Sequence, residues 1–182
     1  MPEIETWYLA GNAFTEEGAR MLADALKDDQ YANALWLKRN PIATTGTKYI
    51  ADMLRTNKSL KILDLQNTYC RDEGVKYLCD ALKENNTLIS LYLDANDITE
   101  VGAGYLAEYF NYLADTGKTG LQYLWLSMNK IKDDGVIVLS QALKRYNKLV
   151  GLCVGSNRIN ARGAKELLEN LTSSTILTTL DC

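Results

Sequence analysis

Residues Leu88–Phe110 read LISLYLDANDITEVGAGYLAEYF, and two different periods sit side by side in this stretch. From Leu88 to Asn96, alternation places Leu91 and Leu93 on one face and Ser90, Tyr92 and Asp94 on the other, the period of a strand. From Thr99 to Phe110 the pattern is helical. Thr99 suits the N-cap, Glu100 lies in the first turn where the helix dipole favours an acid, and Leu106 and Phe110 stand at i and i+4. The unit is a strand followed by a helix, and neither buries its apolar face alone.

The same unit recurs along the chain. Its eight columns here are Leu88, Leu91, Leu93, Asn96, Ile98, Gly102, Leu106 and Phe110. A shift of 28 residues towards the N-terminus finds Leu60, Leu63, Leu65, Thr68, Cys70, Gly74, Leu78 and Leu82. Further copies begin at Ile4 and Ala32, and after a five-residue insertion at Leu121 and Leu149; a seventh starts at Leu177. A fixed period in this range, carrying LxxLxLxxN, denotes a solenoid of leucine-rich repeats. The expectation is one domain over residues 1–182, curved, with a parallel sheet on the concave side and helices on the convex side.

Two columns are polar or small for structural reasons. Asn12, Asn40, Asn96, Asn129 and Asn157 stand where the chain leaves each strand, and their amides can satisfy backbone groups of the turn and of the next repeat. Thr68 interrupts this ladder, with Asn67 displaced by one place, and a weaker turn is expected there. Gly18, Gly46, Gly74, Gly102, Gly135 and Gly163 occupy the start of each helix. Either a side chain there clashes with the neighbouring repeat, or the backbone needs an unusual angle.

These columns resemble the ribonuclease-inhibitor type of leucine-rich repeat, found also in NOD-like receptors and in the GTPase activators of the Ran cycle. The resemblance covers about residues 4–182 and implies an α/β horseshoe. It leaves function open, because this scaffold serves many unrelated partners. Three roles follow from it: a protein-interaction scaffold, a GTPase-activating domain, or the sensing repeats cut from a NOD-like receptor. The second would act through an arginine and an asparagine near the strand ends, for which Arg39 and Asn96 are the nominees. That family's acidic C-terminal tail is missing, and Arg39 is not in a matched motif. The chain starts only three residues before its first unit and stops inside its seventh, which suggests makeshift end caps or a piece of a longer array.

Composition narrows the classes. The formal charge is −3 with scattered basic residues, which argues against the basic stripe that nucleic acid demands. No apolar run approaches a membrane span and no signal segment opens the chain, so a cytoplasmic protein is expected, with no membrane partner. The four cysteines show no metal or disulfide spacing. Cys70, Cys79 and Cys182 fall in core columns, whereas Cys153 falls in a column expected to be exposed. Histidine is absent, which removes the commonest general base and every Ser-His or Cys-His nucleophile. Acid pairs such as Asp72/Glu73 and Asp133/Asp134 recur at helix starts, where they offset the dipole. No enzyme, cofactor or metal is expected.

The third, fifth and seventh strand places point away from the core. The fifth column reads Tyr8, Trp36, Asp64, Tyr92, Trp125, Cys153 and Asp181; the third holds Tyr123. Lys38 and Arg39, Gln66 and Asn67, Asp94, and Ser127 and Met128 lie just beyond. Aromatic residues have good strand propensity and can pack laterally, yet an exposed aromatic row is costly unless covered. The candidate partner-binding residues are Tyr8, Trp36, Asp64, Tyr92, Tyr123, Trp125, Lys38, Arg39 and Asp94, and the partner is a protein or peptide. Trp36, Tyr92, Tyr123 and Trp125 are expected to be substantially exposed. The insertion around residues 111–120, with Gly117 and Gly120, reads as a mobile loop and a second candidate.

Overall fold

A computed structural model describes residues 3–172 and 176–182. Its strands are β1 (Thr6–Tyr8), β2 (Ala34–Trp36), β3 (Ile62–Asp64), β4 (Ser90–Tyr92), β5 (Tyr123–Trp125), β6 (Gly151–Cys153) and β7 (Thr179–Asp181). They alternate with helices α1 (Glu16–Leu26), α2 (Ala43–Thr56), α3 (Arg71–Leu82), α4 (Glu100–Thr116), α5 (Lys132–Tyr146) and α6 (Ala161–Leu171). The strands form one open parallel sheet in chain order, and the register pairs like column with like, Leu35 with Leu63 and Tyr92 with Trp125. This is the α/β solenoid of leucine-rich repeats. Each strand is only three residues long, but the ladder continues past it, with Leu93 N donating to Trp125 O at 2.8 Å and Ala95 N to Ser127 O at 2.9 Å.

The core lies between sheet and helices. Leu35, Leu63, Leu91, Leu124 and Leu152 of successive strands are fully buried, as are Ile50, Leu78, Leu106 and Leu139 of successive helices. The helix-start glycines have ordinary helical angles, so close approach is their reason. A Cβ on Gly135 would lie 2.6 Å from Ile131 Cγ2 and 3.0 Å from Glu100 Cα of the previous helix. The repeats stack too tightly there for any side chain.

The asparagine ladder is present from the second repeat onwards. Asn96 Oδ1 accepts from Thr68 N and Cys70 N, each at 3.0 Å, while Nδ2 donates to Leu65 O at 2.7 Å. Asn40, Asn129 and Asn157 are buried in the same manner, whereas Asn12, at the end of the stack, is exposed. Thr68 weakens one rung. Its hydroxyl donates to Leu65 O at 2.7 Å but does not serve the previous repeat, and Ile42 N turns to its own repeat's Asn40 O at 2.8 Å. A second ladder runs at the helix C-termini. Asn57 Nδ2 donates to Leu26 O at 2.8 Å, and Asn85 Nδ2 to Leu54 O at 2.7 Å. In sequence these two read merely as parts of the polar tripeptides Asn57-Lys58-Ser59 and Asn85-Asn86-Thr87.

Three expectations are corrected. The insertion is absorbed mainly by lengthening α4 to 17 residues, ending at Gly117 in the left-handed region, so no long loop forms. The phenols of Tyr109 and Tyr146 take over the turn: Gly120 N donates to Tyr146 Oη at 2.9 Å and Leu121 N to Tyr109 Oη at 3.4 Å. Cys182 is exposed, because no further repeat packs on β7 within this chain, and Cys153 is buried. The helix-start acids also do more than meet a dipole. Asp72 accepts from Thr99 N at 2.7 Å and Gly102 N at 3.0 Å, capping the helix of the following repeat.

Candidate functional site

The strands carry every second side chain away from the helices, onto the open face of the sheet. Parallel pairing without slippage aligns the fifth column, so Tyr8, Trp36, Asp64, Tyr92, Trp125, Cys153 and Asp181 fall in one row. The rings make a continuous ridge. Tyr8 stacks on Trp36 with centroids 6.0 Å apart, Trp36 meets Tyr92 at 5.6 Å, and Tyr92 stacks on Trp125 at 4.1 Å. Tyr123, from the third column, stacks on Trp125 at 5.6 Å.

This ridge is more self-packed than the sequence suggests. Tyr8 is 77% exposed, but Trp36, Tyr92, Tyr123 and Trp125 are only half-buried rather than substantially exposed. The reason is geometric. Asp64 is short, so Trp36 and Tyr92, two strands apart, lean together across it. The Trp36 indole N–H is enclosed without an acceptor among the described residues, an unmet bond of the kind native proteins seldom leave.

Two acids of the open face, Asp64 in the row and Asp94 just beyond it, behave differently from the other carboxylates. Asp64 is 1% exposed and Asp94 is 9% exposed. Asp64 Oδ1 accepts from Gln66 N at 2.9 Å, and Asp94 Oδ1 from Ser127 N at 2.8 Å. Among the described residues neither forms an ion pair, although twelve pairs stand elsewhere on the molecule. Burial holds both carboxyl groups above the usual carboxylate range, against the pull of those backbone donors and, for Asp64, of Lys38. Burial also pushes the Cys70 thiol up to about 12 and raises that of Cys79, so neither is primed as a nucleophile.

Lys38 is half-buried and Arg39 exposed beyond β2. Arg39 has φ +57°, and its column, Asn67, Ala95, Met128 and Ser156, is left-handed throughout. Asn96, the partner nominated for it, is buried with its amide engaged in the ladder. Sequence reasoning also passed over a strip of small outward residues beyond Trp125, made of Gly151, Cys153 and Gly155. The Tyr123 ring covers Gly151, and Asp181 and Ser127 flank Gly155 at 3.6 and 3.7 Å from where a Cβ would stand. Its signal was the two glycines in outward columns.

Comparison with known proteins agrees with this architecture. A family model described as Leucine Rich repeat matches residues 118–140. No curated protein matches the chain in sequence. Among solved structures the chain is similar to one titled leiomodin-1 actin-binding site 2, with TM-score 0.58, 17% identity, 95% of this chain covered and 82% of that one. At that identity the likeness establishes the fold. Among the described residues no helix is long and apolar enough to cross a membrane, and no group of acids and cysteines could hold a metal ion.

Proposed function

We propose that this leucine-rich-repeat chain is a non-catalytic scaffold that binds a protein or peptide partner on the concave face of its sheet. Tyr8, Trp36, Tyr92, Tyr123 and Trp125 supply the contact ridge, and Lys38, Arg39, Asp64 and Asp94 its polar border. The observation that carries the reading is the ridge itself: five rings from four strands stack or tilt against one another on the one sheet face that no helix covers. Lateral packing explains part of it, yet a fold needs no aromatic residues on the face away from its core. Large, stiff rings gain contact area at small entropic cost, and tryptophan and tyrosine dominate hot spots.

The ribonuclease-inhibitor resemblance supports a concave aromatic contact, and the leiomodin likeness makes an actin-type partner worth including among the probes. The GTPase-activator reading loses support because Asn96 is spent inside the fold. The test is to immobilise the protein, capture partners from a cytosolic extract, and measure the affinity of each for wild type, Trp36→Ala and Trp125→Ala. Each substitution should weaken binding by about 2 kcal/mol or more, the hot-spot scale. Undiminished binding by both variants overturns the proposal and moves the site to the helical exterior.

A further inference from the structure

The open face carries unbalanced charge. Its outward strand columns hold three carboxylates, Asp64, Asp94 and Asp181, against the one ammonium of Lys38, with the Arg39 guanidinium at the border beside it. Asp64 and Asp94 are almost wholly enclosed, and no cation of the chain pairs with any of the three among the described residues. Asp64 uses one oxygen for Gln66 N, and its other oxygen receives no donor among the described residues. Burial, and then the charges of Asp181 and Asp94, oppose ionisation of the Cys153 thiol. Enclosing a carboxylate without an ion-pair partner is costly, and for Asp64 the attraction of Lys38 does not offset its burial. Such a group becomes favourable when a partner brings the missing charge.

The shape beside these acids suits one kind of group. Trp125 and Tyr123 form an aromatic wall, with the Tyr123 ring over Gly151; Cys153 and Gly155 carry a short side chain or none, and Asp181 stands on the far side. Aromatic faces attract cations through their quadrupole, and carboxylates accept their hydrogen bonds. A planar guanidinium can stack on the indole while donating to a carboxylate, which a compact ammonium cannot do as well.

We infer that the partner segment presents an arginine or lysine side chain, arginine preferred, to the open face between Trp125 and Asp181, with Asp94, and Asp64 farther along the face, adding to the opposing charge. This rests on the concave-face reading above and specifies the partner's chemistry.

The experiment is a selection of randomised twelve-residue peptides displayed on phage against immobilised wild-type protein. Selected peptides are synthesised and titrated by fluorescence anisotropy against wild type, Trp125→Ala, and the triple variant Asp64→Asn, Asp94→Asn, Asp181→Asn. The amide substitutions keep each side chain's shape and one acceptor oxygen. Arginine should be enriched beside an apolar or aromatic residue, and the triple variant should bind at least tenfold more weakly. Replacing the peptide arginine by citrulline, isosteric but uncharged, should cause a similar loss on unaltered protein, so the inference stays testable if the triple variant folds poorly. Peptides that need Trp125, show no cationic preference and tolerate citrulline would overturn the inference while leaving the concave scaffold standing. Peptides indifferent to Trp125→Ala, or none selected at all, would overturn both.

Discussion

Asn96 and Thr68 show what a single side chain decides in a stacked fold. The asparagine column is legible because one residue type recurs where the chain turns, and the structure spends each buried amide on two repeats at once. Asn96→Ala leaves Thr68 N and Cys70 N without an acceptor and should cost about 1–3 kcal/mol in chemical denaturation. Thr68→Asn should instead gain about 1 kcal/mol by offering an acceptor to the Asn40 and Ile42 amides and a donor to Leu37 O. A loss on Thr68→Asn would mean that this turn has a geometry of its own. The left-handed column was hidden, because Arg39, Ala95, Met128 and Ser156 share no chemistry, only a backbone angle. Ala95, at φ +54°, should gain about 0.5–1 kcal/mol as glycine, relief of left-handed strain exceeding the added chain entropy. A lower melting temperature for Ala95→Gly would contradict that.

At the scale of the element, helices are capped from the repeat before them. The acid at a helix start is readable in sequence as a dipole effect, but a local reading cannot see that Asp72 reaches across to α4, 27 residues on. Asp72→Ala strands two backbone donors and should destabilise by about 1–2 kcal/mol. Hydrogen exchange should quicken first at Thr99 and Gly102, at the start of α4, and protection unchanged there would refute the cross-repeat cap. The insertion was misread for a related reason. Gly117 and Gly120 suggest a loop, whereas buried Tyr109 and Tyr146 hold a longer helix and a short tight turn, and their column lies outside the repeat's aliphatic pattern.

The whole molecule sets stability against its open face. The fold was legible almost entirely from the 28-residue period. The ridge was legible as an alignment of columns but not as a packed surface, because the lean of Trp36 over Asp64 depends on neighbours two strands apart. Asp64, whose carboxyl is held above the usual range by burial, binds protons more readily folded than unfolded. Its contribution is therefore favourable in acid and is lost as pH rises through that raised value, so the ionised form burdens the fold at neutral pH. Asp64→Asn should raise the melting temperature at pH 7, with the advantage shrinking below about pH 4, where an unfolded aspartate is itself protonated. A lower melting temperature at pH 7 would show that the carboxylate is stabilised in place. A residue that weakens the fold and faces outward is what a binding surface retains.

The most direct test of the central claim is site-specific photo-crosslinking in a cell extract. Benzoylphenylalanine replaces Tyr8 or Tyr123 on the open face, or Val101 or Val138 on the exposed side of α4 and α5. The account predicts a discrete adduct at Tyr8 or Tyr123, suppressed by excess wild-type protein and not by excess protein carrying both Trp36→Ala and Trp125→Ala. Adducts confined to Val101 and Val138, or suppressed equally by both competitors, would contradict it.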